Sequence, residues 1–110
     1  MEECKVVYIS GAYSCGETCT EEEKLMHLKE MDEWAVKLWN KGYATIHPIR
    51  NDSCVKGITT YEEIIERDLV ILSHCDAIFI CPSWYRSQGA MKEYLFAQEH
   101  KKEIIFYNEI

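Results

Sequence analysis

The sequence predicts an α/β protein in which a parallel β-sheet carries helices on both faces. Short apolar runs rich in β-branched and aromatic residues alternate along the chain with longer segments of helical periodicity. Capping boxes precede the first two helical segments, as expected where helices begin. The run AIFIC is apolar without interruption, which is typical of a strand buried on both faces. This alternation favours parallel strands joined by helical crossovers.

The first strand is predicted at residues 5–10 (KVVYIS), where Gly11 ends it. A helix follows, because Thr20 and Glu23 form a capping box and apolar side chains recur at helical spacing as far as Asn40. This part of the chain therefore predicts a strand and the helix that crosses over the sheet.

A second strand is predicted soon after this helix. Gly42 fits the left-handed residue that closes many helices. Residues 43–47 (YATIH) then have strand composition, and Pro48 ends the run. The polar stretch 50–59 is predicted to be a loop.

The second half of the chain repeats the alternation. Thr60 and Glu63 form another capping box. The remaining helix, strand, helix and strand are predicted at residues 61–73, 76–81, 88–101 and 103–107. Right-handed crossovers favour a three-layer, flavodoxin- or Rossmann-like sheet of four or five strands in the order 2-1-3-4. Ligands of such sheets bind beyond the carboxyl ends of the strands, near the switch between strands 1 and 3.

Length and composition indicate one ordinary domain over residues 1–110, with 47% hydrophobic and 28% charged residues. No apolar run approaches the ~20 residues of a membrane helix, and the acidic start MEECKVVYIS is unlike a signal peptide. We therefore expect a cytoplasmic protein without a membrane partner. The net charge of −7 disfavours a nucleic-acid partner, because phosphate backbones would repel it.

The six cysteines are expected to be reduced and structural. They form no CxxC pair and no zinc-ligand spacing with the four histidines, so no metal site is predicted. Cys75 and Cys81 flank or lie in an apolar strand, where cysteine behaves as a small hydrophobic residue. The role of Cys15 and Cys19 stays open.

Asp68 departs from the structural pattern. It falls within the apolar stripe of the second helix, four residues after Ile64 and four before Leu72. An unpaired buried carboxylate is costly. Asp68 therefore either finds a partner, such as a group near Arg67 or a backbone amide, or faces a ligand cleft.

The segment PSWYRSQGAMKE is a second candidate for function. Gly89 allows a ligand to approach the backbone, and the helix that follows offers unpaired N–H groups for an anion. Ser87 adds a hydroxyl, and Arg86 is a nearby cation. Glu93 is interpreted in two ways, as an active-site acid or as a first-turn acid that the helix dipole stabilises.

Two further candidates follow the first two strands. Tyr13 lies in the turn ISGAYS, where its hydroxyl has the length to reach a carboxylate across the cleft. His47 stands at the end of the second strand and is either structural or a substrate contact. The chain has no GxGxxG, P-loop, GxSxG or HExxH motif, so no cofactor is expected.

Together these segments resemble the nucleoside 2-deoxyribosyltransferase-like superfamily, in a short branch of unassigned function found in phage and bacterial genomes. The resemblance rests on YISGAY, ERDLVILSHCDAIFICP and SQGAMKEYLFA, and it extends over residues 5–107. Members of the superfamily break the N-glycosidic bond of nucleosides or nucleotides. The resemblance implies that Glu93 is the nucleophile, that Asp68 contacts the base and helps it depart, and that Tyr13 orients Glu93.

The resemblance also implies a ligand class and an assembly. Enzymes of the superfamily that act on free nucleosides carry aspartate at the position of Ser87, whereas 5′-monophosphate hydrolases carry serine. Ser87, Gly89 and Arg86 therefore favour a nucleotide, with Gly11 and His47 as further substrate contacts. Relatives form dimers or larger assemblies, and the three tryptophans and seven tyrosines of this acidic domain also favour a homo-oligomer.

Two other function classes remain. A binding protein would keep the pocket and sequester a nucleotide or signal molecule without turnover. The end of the sequence soon after EIIFY favours it, whereas two carboxylates in an anion pocket favour the enzyme. An interaction domain without a small ligand would not bring Tyr13, Asp68, Ser87 and Glu93 into one pocket.

Overall fold

A parallel sheet of four strands forms the centre of the structure, a computed structural model that describes residues 4–12, 19–55 and 57–110. The strands are β1 (Val6–Ser10), β2 (Ala44–Ile46), β3 (Ala77–Ile80) and β4 (Glu103–Phe106). Their order is β2-β1-β3-β4, which confirms the predicted topology. Tyr8 of β1 is paired with Ile46 of β2, and Ser10 is paired with Ile80 of β3. The strand order therefore reverses between β1 and β3.

The helices of the described residues are α1 (Glu21–Asn40), α2 (Pro48–Asp52), α3 (Tyr61–Ser73) and α4 (Gln88–Glu99). The sequence predicts three of them to within two residues. The short α2 corrects the prediction of a loop at residues 50–59. Pro48 occupies the first turn of α2, where its fixed φ and missing N–H are tolerated. A proline that ends one element can thus begin the next.

Side-chain caps explain where the two long crossover helices begin. The Thr20 hydroxyl accepts a hydrogen bond from the Glu23 amide at 3.1 Å, and Thr60 does the same for Glu63 at 3.1 Å. Gly42 has φ +100° just beyond α1, so the predicted left-handed residue is confirmed. Each cap contributes about 1 kcal/mol to the start of its helix.

The sheet divides the core into two layers, with helices on both faces as predicted. One layer joins α1 to β1 and β3 through Met31, Leu38, Val7, Ile9 and Phe79. The other joins α3 and α4 to the opposite face through Leu72, Ala97, Tyr8, Ile78 and Ile80. Because side chains alternate along a strand, β1 directs Tyr8 and Ser10 towards the α3–α4 layer. This alternation positions the candidate site.

The cysteines follow the prediction only in part. Cys75 and Cys81 are free and buried, and Cys4 and Cys54 are free and exposed. Cys19 is disulfide-bonded, which corrects the expectation that all six are reduced. Within residues 4–12, 19–55 and 57–110, no three His, Cys, Asp or Glu side chains group as metal ligands. The helices of that same part of the chain are all too short or too polar to cross a bilayer.

Candidate active site

A cavity of about 220 Å³ lies where β1 and β3 end, with α1, α2, α3 and α4 around it. It lies at the carboxyl ends of the strands, beside the point where strand order reverses. Ligands of open α/β sheets bind at this position. The volume is somewhat below the roughly 300 Å³ at which small-molecule pockets begin, so it suits a sugar-sized part of a ligand.

Most of the predicted site residues surround this cavity. The members that line it are Gly11, Asp68, Ser87, Gly89 and Glu93. Arg86 and His47 are not part of its described lining. Tyr13 lies outside the described residues, so its predicted role stays a prediction. The cavity thus brings together residues from the end of β1, the middle of α3 and the first two turns of α4.

Glu93 is buried beside the cavity, with 6% of its surface exposed. Ser10 Oγ donates a hydrogen bond to Glu93 Oε1 at 2.7 Å, and the Tyr8 hydroxyl donates one to Glu93 Oε2. Burial raises the pKa of Glu93 to about 7, and the two hydrogen bonds act in the opposite direction. The carboxyl group is therefore close to half ionised at neutral pH.

The position of Glu93 corrects one sequence interpretation. α4 begins at Gln88, so Glu93 belongs to its second turn and not to its first. The helix dipole acts mainly within the first turn. The carboxylate form of Glu93 is stabilised instead by the hydroxyl groups of Tyr8 and Ser10.

Sequence reasoning missed Tyr8 and Ser10 as site residues. Both are almost fully buried, and their positions two apart on β1 place them on one face of the sheet. The available signal was the pair of polar groups in an apolar strand, since a buried tyrosine hydroxyl needs a partner. The tyrosine that donates to Glu93 in the structure is Tyr8, and burial raises the pKa of Tyr8 well above its usual value, with Glu93 adding to the effect.

Asp68 pairs with another carboxyl group and not with a cation. Its side chain is 3% exposed and lies within hydrogen-bonding reach of Asp52, at the end of α2. Burial comes first and the Asp52 carboxyl second among the causes that raise the pKa of Asp68 to about 9. Asp68 is therefore neutral at pH 7. The sequence suggests a partner near Arg67, whereas the structure places Asp52 next to Asp68. Asp52 belongs to α2, in a stretch that the sequence predicts to be a loop.

Gly89 keeps the cavity open. A Cβ atom at this position would lie 3.0 Å from both the Tyr61 hydroxyl oxygen and Ile65 Cδ1. Either contact is tighter than ordinary van der Waals packing, so a side chain would push Tyr61 or Ile65 into the space. Glycine is required here for close approach and not for an unusual φ.

The cations around the cavity differ from the predicted one. Arg86 contacts Glu23 Oε2 at 3.4 Å, whereas Lys24 and Arg50 line the cavity. Arg50 also donates from Nε to Asp32 Oδ1 at 3.2 Å. Lys24 and Arg50 are far in sequence from α4, which begins at Gln88, so no local pattern points to them.

Ser87 and His47 have structural partners. The Ser87 hydroxyl accepts a hydrogen bond from the Ala90 amide at 3.1 Å and so caps α4 while lining the cavity. His47 Nε2 lies 2.9 Å from Asp32 Oδ1, and burial lowers the pKa of His47 against the effect of Asp32. The contact with Asp32 supports the interpretation of His47 as a structural residue.

The family comparison agrees with the extent of this domain. Residues 5–106 match the model of a family described as a domain of unknown function (DUF4406), and the chain belongs to that family. No curated protein matches the sequence significantly. The family description carries no activity, so the likeness to the nucleoside 2-deoxyribosyltransferase-like superfamily stays a prediction.

Proposed function

We propose that this member of the DUF4406 family cleaves the N-glycosidic bond of a nucleotide or nucleoside. The observation that carries the proposal is the pair of carboxyl groups around one cavity, Glu93 and Asp68. Glu93 has a pKa of about 7 and Asp68 a pKa of about 9, so near pH 8 one is ionised and the other neutral. Two carboxyl groups whose pKa values differ in this way can supply the nucleophile and the acid of a glycosidase.

The reaction needs two displacements at C1′ of the sugar. The Glu93 carboxylate forms a bond to C1′ while the C1′–N bond breaks and its electron pair goes to the base. Asp68 gives its proton to the departing base. Water then attacks C1′, its proton returns to Asp68, and Glu93 leaves as a carboxylate. The products are a free base and a sugar of retained configuration.

The hydrogen bonds to Glu93 suit this role. Tyr8 and Ser10 hold both carboxylate oxygens and so fix the direction from which Glu93 meets the sugar. Their donation also keeps the pKa of Glu93 lower than burial alone would set it. A nucleophile that is ionised near neutral pH results from these two opposed effects.

The rate of base release is expected to have a bell-shaped pH dependence. Glu93 attacks as a carboxylate, so kcat/KM rises as the pH passes about 7. Asp68 acts as an acid, so kcat/KM falls as the pH passes about 9. Initial rates of base release from pH 5 to 10 measure both limbs. A rate that is flat across this range would contradict the assigned roles.

The residues at the start of α4 support a 5′-phosphate on the substrate. Ser87 and Gly89 line the cavity at a helix N-terminus. The cations of the same lining are Lys24, which also contacts Glu21 at 3.4 Å, and Arg50, which is also paired with Asp32. No carboxylate stands at position 87 to repel a phosphate group. We therefore propose a nucleoside monophosphate as the substrate class.

Ser87→Asp is expected to reverse this preference. Two like charges ~4 Å apart repel by roughly 4 kcal/mol at an effective dielectric constant of about 20, so cleavage of monophosphates should fall roughly 10³-fold. Cleavage of the free nucleoside should be retained, because aspartate also caps helices well. Ser87→Asn is the matched control, since it has the same shape without the charge. Equal losses in both variants, or no change with Ser87→Asp, would rule out a phosphate next to this residue.

The first test is release of free base from a panel of ribo- and deoxyribonucleoside 5′-monophosphates and the matching nucleosides, with and without an acceptor base. Release identifies a hydrolase or, where it needs the acceptor, a transferase. Tight binding of a nucleotide without release would instead establish a sequestering protein. Neither binding nor release would leave a domain that interacts with other proteins.

The proposal includes a homodimer or larger assembly in the cytoplasm. Trp39 and Tyr85 are 63% and 66% exposed, and large aromatic side chains on a surface favour association. Sedimentation velocity measures the assembly directly. A monomer at all accessible concentrations would exclude it.

A further inference from the structure

Asp52 and Asp68 form a carboxyl pair without a hydrogen-bond donor. Asp52 Oδ2 and Asp68 Oδ1 are both buried and have no N–H or O–H partner among the described residues. The two side chains lie within hydrogen-bonding reach of each other and both line the cavity that contains Glu93. A buried carboxylate without a partner is costly, so the pair must find its hydrogen bond internally.

A shared proton satisfies both groups. Two carboxylates in contact repel each other, whereas a carboxylic acid donates a short hydrogen bond to a neighbouring carboxylate. The charged groups on the other elements do not replace this shared proton. The titratable groups that face Asp68 or line the same cavities, besides Asp52, are Tyr8, Lys24, Arg50, Cys54, Tyr61, Glu63, Arg67 and Glu93. Besides burial, the groups that raise the pKa of Asp68 are Asp52 and Glu93, and both of these acids favour its neutral form.

We infer that Asp52 is a positioning residue that shares one proton with Asp68 and directs it as the acid for the departing base. The inference rests on the proposed function and adds a residue to it. Asp52, at the end of α2, approaches Asp68 from a separate element and thereby fixes where the acidic proton lies. When Asp68 gives up this proton to the base, the new negative charge beside Asp52 makes Asp68 a strong acceptor for the proton of the attacking water.

A second cavity also borders the Asp52–Asp68 pair. It has a volume of about 530 Å³ and shares Asp52, Ile64 and Asp68 with the first. The pair therefore forms part of the wall between the two spaces.

The direct test is a carboxyl ¹³C NMR titration of aspartate-labelled protein without any substrate. We expect one aspartate carboxyl carbon to titrate above pH 7, and this step to move at least one pH unit lower in Asp52→Asn. Asp76→Asn is the matched control, because Asp76 lies at the other end of β3, where it accepts a hydrogen bond from the Val6 amide at 2.8 Å. Asp52→Ser provides a second variant should the amide disturb the fold.

Two results would overturn the inference. In the first, every aspartate carbon of the native protein titrates below about pH 5. In the second, the high titration step is the same in the native protein and both Asp52 variants. Neither result depends on catalysis, so each is distinct from failure of the proposed function.

Activity gives the second readout. In Asp52→Asn the descending limb of the kcat/KM profile is expected to move to lower pH by more than the ascending limb does, because Asp52 comes last among the causes that raise the pKa of Glu93. If kcat/KM of Asp52→Asn falls by the same factor at every pH, Asp52 has only a structural role and its positioning role is overturned. A high titration step in a protein that releases no base would leave the shared proton in place but overturn its use as an acid.

Discussion

Glu93→Gln is expected to reduce the release of free base by roughly 10³-fold or more, because an amide does not form the bond to C1′. Glutamine has nearly the same size and shape as glutamate, which matters at a site only 6% exposed. Its amide oxygen still accepts a hydrogen bond from Tyr8 or Ser10. The variant therefore removes the nucleophile with little change to the packing of α4.

Glu99→Gln is the matched control for this experiment. Glu99 is exposed at the end of the same helix and lies outside the described lining of the cavity. It should release base at the native rate. A Glu93→Gln variant with more than a tenth of the native rate would exclude Glu93 as the nucleophile. Mass spectrometry of enzyme quenched during turnover should also show a sugar on the peptide that contains Glu93 in the native protein alone.

Asp68→Asn is expected to stabilise the fold while it impairs catalysis. Because the pKa of Asp68 is about 9 in the folded protein and about 4 when unfolded, the folded state binds the proton more tightly. The free energy of unfolding should therefore fall as the pH rises from about 4 towards 9. At pH 8, asparagine removes this penalty and its NH₂ group can donate to Asp52. We expect a gain of about 1–3 kcal/mol.

Thermal and denaturant unfolding at pH 5 and pH 8 measure this effect. The gain should be larger at pH 8 than at pH 5, because unfolding of the native protein releases the Asp68 proton above about pH 4 and this favours the unfolded state more as the pH rises, whereas asparagine has no proton to release. Base release should fall roughly 10²-fold or more, because the departing base loses its proton donor. Glu66→Gln, an exposed acid on the same helix, is the control and should alter neither quantity. A destabilised Asp68→Asn with the same shift at both pH values would contradict the linkage.

The two variants examine one physical trade-off. Buried carboxyl groups such as Glu93 and Asp68 lower stability, and a protein that retains them needs them for another reason. An increase in stability together with a loss of activity would indicate a functional reason. An increase in stability without any activity to lose would direct attention to nucleotide binding.

Local patterns in the sequence determined most of the fold. The helix starts at Thr20 and Thr60 each depend on a threonine side chain and the backbone amide three residues later. A short stretch of sequence is therefore enough to predict them. The buried strand β3 was evident from its composition, and the strand order followed from short, right-handed crossovers. The anomaly of Asp68 was also local, since it interrupted a stripe of helical period.

The tertiary structure alone decided the chemistry around these residues. Tyr8 meets Glu93 from 85 residues away, and Asp52 meets Asp68 from another helix, so no spacing rule anticipates either contact. Lys24 and Arg50 replace Arg86 at the cavity for the same reason. Periodicity shows which face of an element is buried, but the partner on that face depends on how separate elements pack. The pKa values of Glu93 and Asp68 depend on burial and on those partners, so only the folded chain determines them.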